Sequence, residues 1–190
     1  MNLIAKLLPP ANVVVGLEAS SKKRAFEQAG LLFENNHGIA RSTVFDSLFA
    51  REKLGSTGLG QGIAIPHGRI KTLKDALGAF IRLAEPVPFD APDGKPVSML
   101  FVLLVPEQAN EHHLQLLSEL AQMFSDRTFR EQLLNAPDAL AAHALFAQFI
   151  IVAEFLLCCK TPDAFGELRR LYIFIGSEMI RYQTDSILVV

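Results

Sequence analysis

Apolar positions recur along the first part of the chain with two different periods. After Ser20 and Ser21, the residues Ala25, Phe26, Ala29, Leu32 and Phe33 fall on one helical face, which predicts a helix capped by one of those serines and closed at Gly38. Val44, Phe45, Leu48 and Phe49 repeat that spacing behind Ser42, a second helix that runs out between Arg51 and Gly55. The period then shortens. Leu77, Ala79, Ile81 and Leu83 alternate with Gly78, Phe80 and Arg82, predicting a strand stopped by Pro86 and Pro88. Residues 97–105, VSMLFVLLV, are apolar without a break up to Pro106, the pattern of a central strand covered on both faces. Asn110 caps a third helix reaching Phe124, with an expected buried stripe of Leu114, Leu117, Leu120, Ala121 and Phe124. A shorter helix over 127–134 and another after Pro137 complete an α/β layered body.

Composition divides this body from a tail. All five histidines, His37, His67, His112, His113 and His143, lie in residues 1–148, which hold neither Tyr nor Cys; both Tyr and both Cys lie in residues 149–190. Cys158 and Cys159 are adjacent and have no third cysteine to pair with, so they read as small apolar side chains rather than a redox or metal motif. From Ala139 to Cys159 the chain is apolar for about the length of a bilayer crossing, but His143, Gln148 and Glu154 interrupt it and argue against a membrane role. Thr161-Pro162-Asp163 then reads as a helix start, with Phe165, Leu168, Leu171, Tyr172 and Ile175 on one face before Gly176. The expectation is a helical or partly helical C-terminal extension without catalytic residues, docked on the body or on a second copy of the chain.

Eighteen Lys and Arg against twenty Asp and Glu give a net charge of −2, too even to attract nucleic acid or an anionic membrane at long range. Any phosphate binding must be local. The opening residues MNLIAKLLPPANVVV place Lys6 and Pro9-Pro10 inside what a secretory signal would need as its apolar region, so the expected location is the cytoplasm.

Candidate chemistry concentrates in residues 51–69, REKLGSTGLGQGIAIPHGR. Four glycines, Gly55, Gly58, Gly60 and Gly62, mark a sharply turning loop. Ile63 follows the last of them where a Walker loop needs Lys and then Ser or Thr, and the spacing is not that of a dinucleotide fingerprint. Behind the short run Ile63-Ala64-Ile65 stands one imidazole, His67, between Pro66 and Gly68 in an expected exposed turn. A neutral imidazole is nucleophilic near pH 7 and takes a phosphoryl group without a general base. No HExxH pairing supports a metal site and no GxSxG elbow supports a serine hydrolase. His37 reads as a favourable group at a helix end, His143 as packing and His112 as a surface residue.

Glu52, then Leu59-Gly60, then Ile63-Ala64-Ile65-Pro66-His67-Gly68 resemble the phosphorylation-site signature of the fructose/mannitol-type IIA domains of the bacterial phosphotransferase system. GSTGLGQGIAIPHG, FDAPDGKPV and FVLLVP are more similar to its stand-alone nitrogen-regulatory branch, and the likeness runs over about residues 1–148. The resemblance implies a mixed β-sheet flanked by α-helices. It implies further that His67 accepts a phosphoryl group from an HPr-like phosphocarrier charged from phosphoenolpyruvate. Arg51 occupies the place of the family's phosphate-site arginine, and His113 that of its second active-site histidine, in the first turn of its helix. Ser56 and Thr57 are placed either to donate hydroxyl hydrogen bonds to the phosphoryl group or to cap the loop. No cofactor is implied in the chain itself, and the regulated partners would be potassium-transport or sensor-kinase proteins. The alternative is an interaction module that keeps the fold and no longer transfers phosphate.

Overall fold

A short helix α1 (Leu3–Leu7) and a 3-10 turn lead into strand β1 (Val13–Leu17) in the computed structural model, which describes residues 3–108, 111–149, 170–175, 178–183 and 186–188. Helix α2 (Lys22–His37) starts where Ser21 accepts a hydrogen bond from the Arg24 N–H and ends where Gly38 turns left-handed at φ 67°. Helix α3 (Arg41–Glu52) lacks the cap expected from Ser42; Glu34 reaches across from α2 and accepts the Arg41 N–H at 3.1 Å instead. Then come β2 (Gly58–Gly60), β3 (Ile63–Ala64), β4 (His67–Ile70), β5 (Leu77–Val87) and β6 (Val97–Pro106). Helices α4 (Glu111–Ser125), α5 (Arg127–Asn135) and α6 (Ala139–Gln148) follow. The residue Asn110, read as the cap of α4, lies outside the described residues.

The six strands form one mixed sheet in the order β1-β5-β6-β3-β2, with β4 also paired to β6. Strand β5 continues through Pro86 to Val87 rather than stopping before it, with its pairing to β6 shifted between Arg82 and Val87. Strands β3 and β4 both run parallel to β6 and share one register: Ile63 lies opposite Met99 and His67 opposite Leu103. They are one line of chain interrupted at Ile65-Pro66.

Alternation along β5 and β6 sorts the core into two layers. Ala79, Ile81, Leu100, Val102 and Leu104 pack with Ala25, Phe26, Ala29 and Phe33 of α2 and Val44 and Leu48 of α3. On the other face Phe80 and Phe101 meet Phe146 of α6 at ring separations of 5.0 and 5.6 Å, and Phe124 and Phe129 close on the same ring at 6.2 and 5.3 Å. Arg82, on that face of β5, donates to the carbonyls of Leu133, Leu134 and Ala136 and so satisfies the end of α5.

Helix α4 is rotated from its expected position. Leu116, Leu120, Met123 and Phe124 are buried, whereas Leu114 is 69% exposed and Ala121 is exposed. Two overlapping stripes on this helix are apolar in sequence, and the buried one also carries Glu119, whose carboxylate accepts the N–H groups of Leu3 at 2.9 Å and Ile4 at 3.4 Å. Capping the start of α1 gives that carboxylate a reason to face inward, and the rest of α4 turns with it.

The chain divides into two units, Met1–Ala147 and Gln148–Val190. Within the second, β7 (Arg170–Ile175), β8 (Glu178–Gln183) and β9 (Ser186–Leu188) form an antiparallel sheet, Ile175 opposite Glu178 and Gln183 opposite Ser186. Leu171, Tyr172 and Ile175 thus stand in a strand, not on the expected helix face; the helix start at Thr161-Pro162-Asp163 lies outside the described residues. Arg170 to Ile175 is nearly all apolar, so it matches a helical period by default, while its aromatic and β-branched residues and the two-residue gap before Glu178 fit a hairpin.

Phe146 is fully buried at the meeting point of four other rings. Phe146→Ala is expected to lower unfolding free energy by about 3–5 kcal/mol, read from urea denaturation followed by circular dichroism.

Candidate functional site

Three elements converge on His67. Strand β4 opens with it, the last turn of α3 supplies Arg51, and the first turn of α4 supplies His113. The imidazole is half-buried rather than projecting from an exposed turn. Its Nδ1 lies 2.9 Å from the Ile65 carbonyl, which can only accept, so that nitrogen carries the proton. The lone pair therefore sits on Nε2, where it accepts the Arg51 Nε–H at 2.9 Å. Arg51 also donates from Nη1 to the Gly55 carbonyl at 3.0 Å.

Burial does most to lower the pKa of His67 below the ordinary 6.5; the Ile65 carbonyl opposes it, the Arg51 charge adds to it and Glu52 opposes it. The ring is neutral at pH 7, and its nucleophilic nitrogen is defined. The His113 ring lies 5.5 Å from that of His67 in an edge-to-face arrangement. Its pKa is also lowered, first by burial and then by His67, Arg69 and Arg51. The His113 Nε2 is buried without a hydrogen-bond partner among the described residues, an unusual state for a polar atom and one that a ligand oxygen would relieve. The side chain of His112 lies outside what is described, His37 bonds Asn12 at a helix end and His143 bonds the Leu8 carbonyl.

Arg69 is a cation that reading the sequence passed over. Residues i and i+2 of a strand share a face, and β4 shows it: His67 and Arg69 are accessible while Gly68 and Ile70 are buried. Once His67 is placed at the start of a strand instead of in a turn, Arg69 follows as its neighbour. Gly68 has a different role from clearing space for the imidazole. A Cβ on it would collide with the Ser47 hydroxyl and come within 3.3 Å of the Leu48 nitrogen, so its absence lets α3 lie directly on β4. Ser47 bonds the Arg69 carbonyl at 2.9 Å across that contact. The close approach is what allows Arg51, on one element, to reach His67 on the other.

Ser56 and Thr57 are engaged elsewhere. The Thr57 hydroxyl donates to the buried carboxylate of Glu52, and the Ser56 hydroxyl donates to the Phe89 carbonyl while accepting the Gly58 N–H at 3.1 Å. Their hydroxyl hydrogens hold the loop together, so the phosphate-donor role drawn from the sequence does not fit this geometry. Among the described residues no group of three or more His, Cys, Asp or Glu could hold a metal ion, and no helix is long and apolar enough to cross a membrane.

Comparison with known proteins places the chain, whose mixed sheet sets an imidazole beside an arginine and a second histidine, in a family over most of its length. The protein belongs to the family described as phosphoenolpyruvate-dependent sugar phosphotransferase system, EIIA 2, whose model matches residues 6–149. Within it, the relatives include several nitrogen regulatory proteins. That of Pseudomonas aeruginosa is 45% identical over 143 residues, covering 75% of this chain and 93% of the relative. That of Bradyrhizobium diazoefficiens is 36% identical over 144 residues, covering 76% and 94%. The crystal structure of nitrogen regulatory protein IIA-Ntr from Neisseria meningitidis is 56% identical, with a TM-score of 0.72 over 76% of this chain and 99% of that one. The IIA mannitol structure from Escherichia coli, 23% identical at a TM-score of 0.61, shares the fold and covers 72% of this chain and 96% of its own.

Two measurements test the geometry. In a 15N NMR titration the His67 ring should titrate below 6.5, with Nδ1 protonated on the basic side of the transition. The unfolded ring titrates near ~6.5, so the unfolded chain binds more protons just below that pH and this group removes stability as pH falls through it. A midpoint at or above 6.5 contradicts the assignment. Gly68→Ala should cost about 1–3 kcal/mol by overpacking α3 against β4 and weaken the Arg51 contact, visible as a changed His67 Nε2 chemical shift.

Proposed function

We propose that this protein is a phosphoryl carrier and regulator in which His67 Nε2 accepts a phosphoryl group from the histidine of an HPr-like phosphocarrier. The observation that carries the reading is the defined lone pair on Nε2, held 2.9 Å from the Arg51 guanidinium. In the transfer the lone pair attacks phosphorus as the bond to the donor's nitrogen breaks, and the donor imidazole leaves with that electron pair. Positive charge then develops on the His67 ring, and the Nδ1–H bond to the Ile65 carbonyl stabilises it. As the lone pair is taken up, the Arg51 Nε–H passes to a phosphoryl oxygen beside the remaining donors of its fork, a geometry suited to phosphate. Arg69 adds a second positive charge, and in this reading the unpartnered His113 Nε2 carries the ring's proton and donates it in a hydrogen bond to an oxygen; it sits in the first turn of α4, where the helix field favours an anion. No metal or cofactor enters these steps.

Membership of the family and similarity to nitrogen regulatory proteins support a carrier whose phosphorylation state is read by other proteins. The potassium-transport and sensor-kinase partners implied by the sequence resemblance belong to this proposal, as does a cytoplasmic setting. Residues 1–148 suffice for the carrier function in this reading, a division supported by the family model, which matches residues 6–149, and by relatives that align over 93% and 94% of their own length.

The test is mass spectrometry after incubation with phosphoenolpyruvate, an enzyme I and an HPr-type carrier. The wild type should gain one phosphoryl group, His67→Ala none, and His113→Ala should be labelled slowly. Arg51→Lys should transfer about tenfold more slowly, the equivalent of ~1.4 kcal/mol in the barrier, because an ammonium keeps the charge and loses the fork. An unlabelled wild type would favour an interaction module that retains only the fold.

A further inference from the structure

Next to Arg51 stands a carboxylate that makes no hydrogen bond to His67 and is largely withdrawn from solvent. Glu52 is 9% exposed, and its two oxygens are fully partnered. Oε1 accepts from Lys22 Nζ at 2.9 Å, while Oε2 accepts both the Thr57 N–H at 3.0 Å and the Thr57 hydroxyl. Lys22, on α2, bonds also to Asp90 at 2.8 Å and to the Phe89 carbonyl at 3.2 Å, the same carbonyl that takes the Ser56 hydroxyl. A buried charge is costly unless it is paired and hydrogen-bonded in this way. The arrangement ties residues 56 and 57 to two other segments of the body at once.

Between those anchors and the end of α3 lies Gly55. Its N–H donates to the Glu52 carbonyl at 3.1 Å, and its own carbonyl accepts Arg51 Nη1 at 3.0 Å. Where Gly55 stands therefore decides how the Arg51 guanidinium is rolled, and the observed roll turns Nε toward His67. We infer that Glu52 is a positioning residue for the Arg51–His67 pair, acting through Thr57 and the Gly55 carbonyl. It sets the guanidinium so that its Nε–H covers the Nε2 lone pair before transfer, with the remaining donors of the fork aligned for phosphoryl oxygens. This rests on the phosphoryl-carrier reading for its consequence in transfer, but the placement of Arg51 can be read without phosphate.

The experiment compares wild type, Glu52→Gln, Arg51→Ala and the double variant by two readouts. The first is carbethoxylation of His67 by diethyl pyrocarbonate, located by peptide mass spectrometry, which reports access to the imidazole lone pair. The second is the rate of phosphoryl acceptance from the HPr-type carrier. In Glu52→Gln, with the dispersed amide NMR spectrum of a folded chain, His67 labelling should rise to the Arg51→Ala level and acceptance should slow by about tenfold, the loss of one charge-assisted hydrogen bond. The double variant should be no slower than Arg51→Ala alone, because both changes remove one arrangement. Wild-type behaviour of Glu52→Gln in His67 labelling, or effects on acceptance that multiply in the double variant, would overturn the inference. Should Glu52→Gln not fold, Thr57→Val removes the hydroxyl link alone and decides the matter by the same labelling, increased or unchanged. If the wild type accepts no phosphate, the carrier reading falls, while the labelling still tests how Arg51 is held.

Discussion

The chemistry depends on a break in one line of hydrogen bonding. Strands β3 and β4 follow β6 in a single register, and Leu103 still donates to the Pro66 carbonyl at 2.9 Å where they are interrupted. Pro66 brings no N–H to the sheet, and the Ile65 carbonyl turns to the ring of His67 two residues on. That one carbonyl selects the tautomer. With Nδ1 protonated, the lone pair has a single place to be, on Nε2 facing Arg51, and the His113 ring stands 5.5 Å from the imidazole.

Around this break the body is organised to keep α3 against β4. The layer of α2 and α3 packs on Ala79, Ile81, Leu100, Val102 and Leu104, and Gly68 removes the last side chain that would hold α3 away. Ser47 and the Arg69 carbonyl join the two elements directly, so Arg51 arrives beside His67 from a rigid helix. The loop between them is stiffened through Glu52, Lys22 and Thr57 rather than left free. Rigid placement matters here because a guanidinium held on two fixed acceptors, the His67 Nε2 and the Gly55 carbonyl, presents its remaining donors in one orientation.

The opposite layer has another function. The phenylalanines at positions 80, 101, 124, 129 and 146 fill the space between the sheet and α4–α6, and Glu119 fastens α4 to the start of α1. Together they determine the rotation of α4. The same rotation that exposes Leu114 turns His113 inward with Leu116, Leu120 and Met123, and brings its ring to His67. A packing requirement far along the helix thus acts on the site at its first turn.

Much of this was legible in the residues. Local rules account for the two periods, the Ser21 cap, the Gly38 stop, the buried run of β6 and the singular Pro66-His67-Gly68, since each depends on neighbours within a few positions. Other features follow only from the assembled chain. The sequence could not choose between two apolar stripes on α4, because the choice rests on Glu119 meeting the start of α1. Nor could it show that the hydroxyls of Ser56 and Thr57 are taken by Phe89 and Glu52, or that Arg69 joins Arg51 beside the imidazoles. Residues 170–175 became a strand for a related reason: an all-apolar stretch satisfies both periods, and pairing with Glu178–Gln183 decides between them. Sequence determined which groups could do chemistry and which segments must be buried; tertiary structure decided which groups meet, because a hydrogen bond between residues far apart in the chain depends on how whole elements pack.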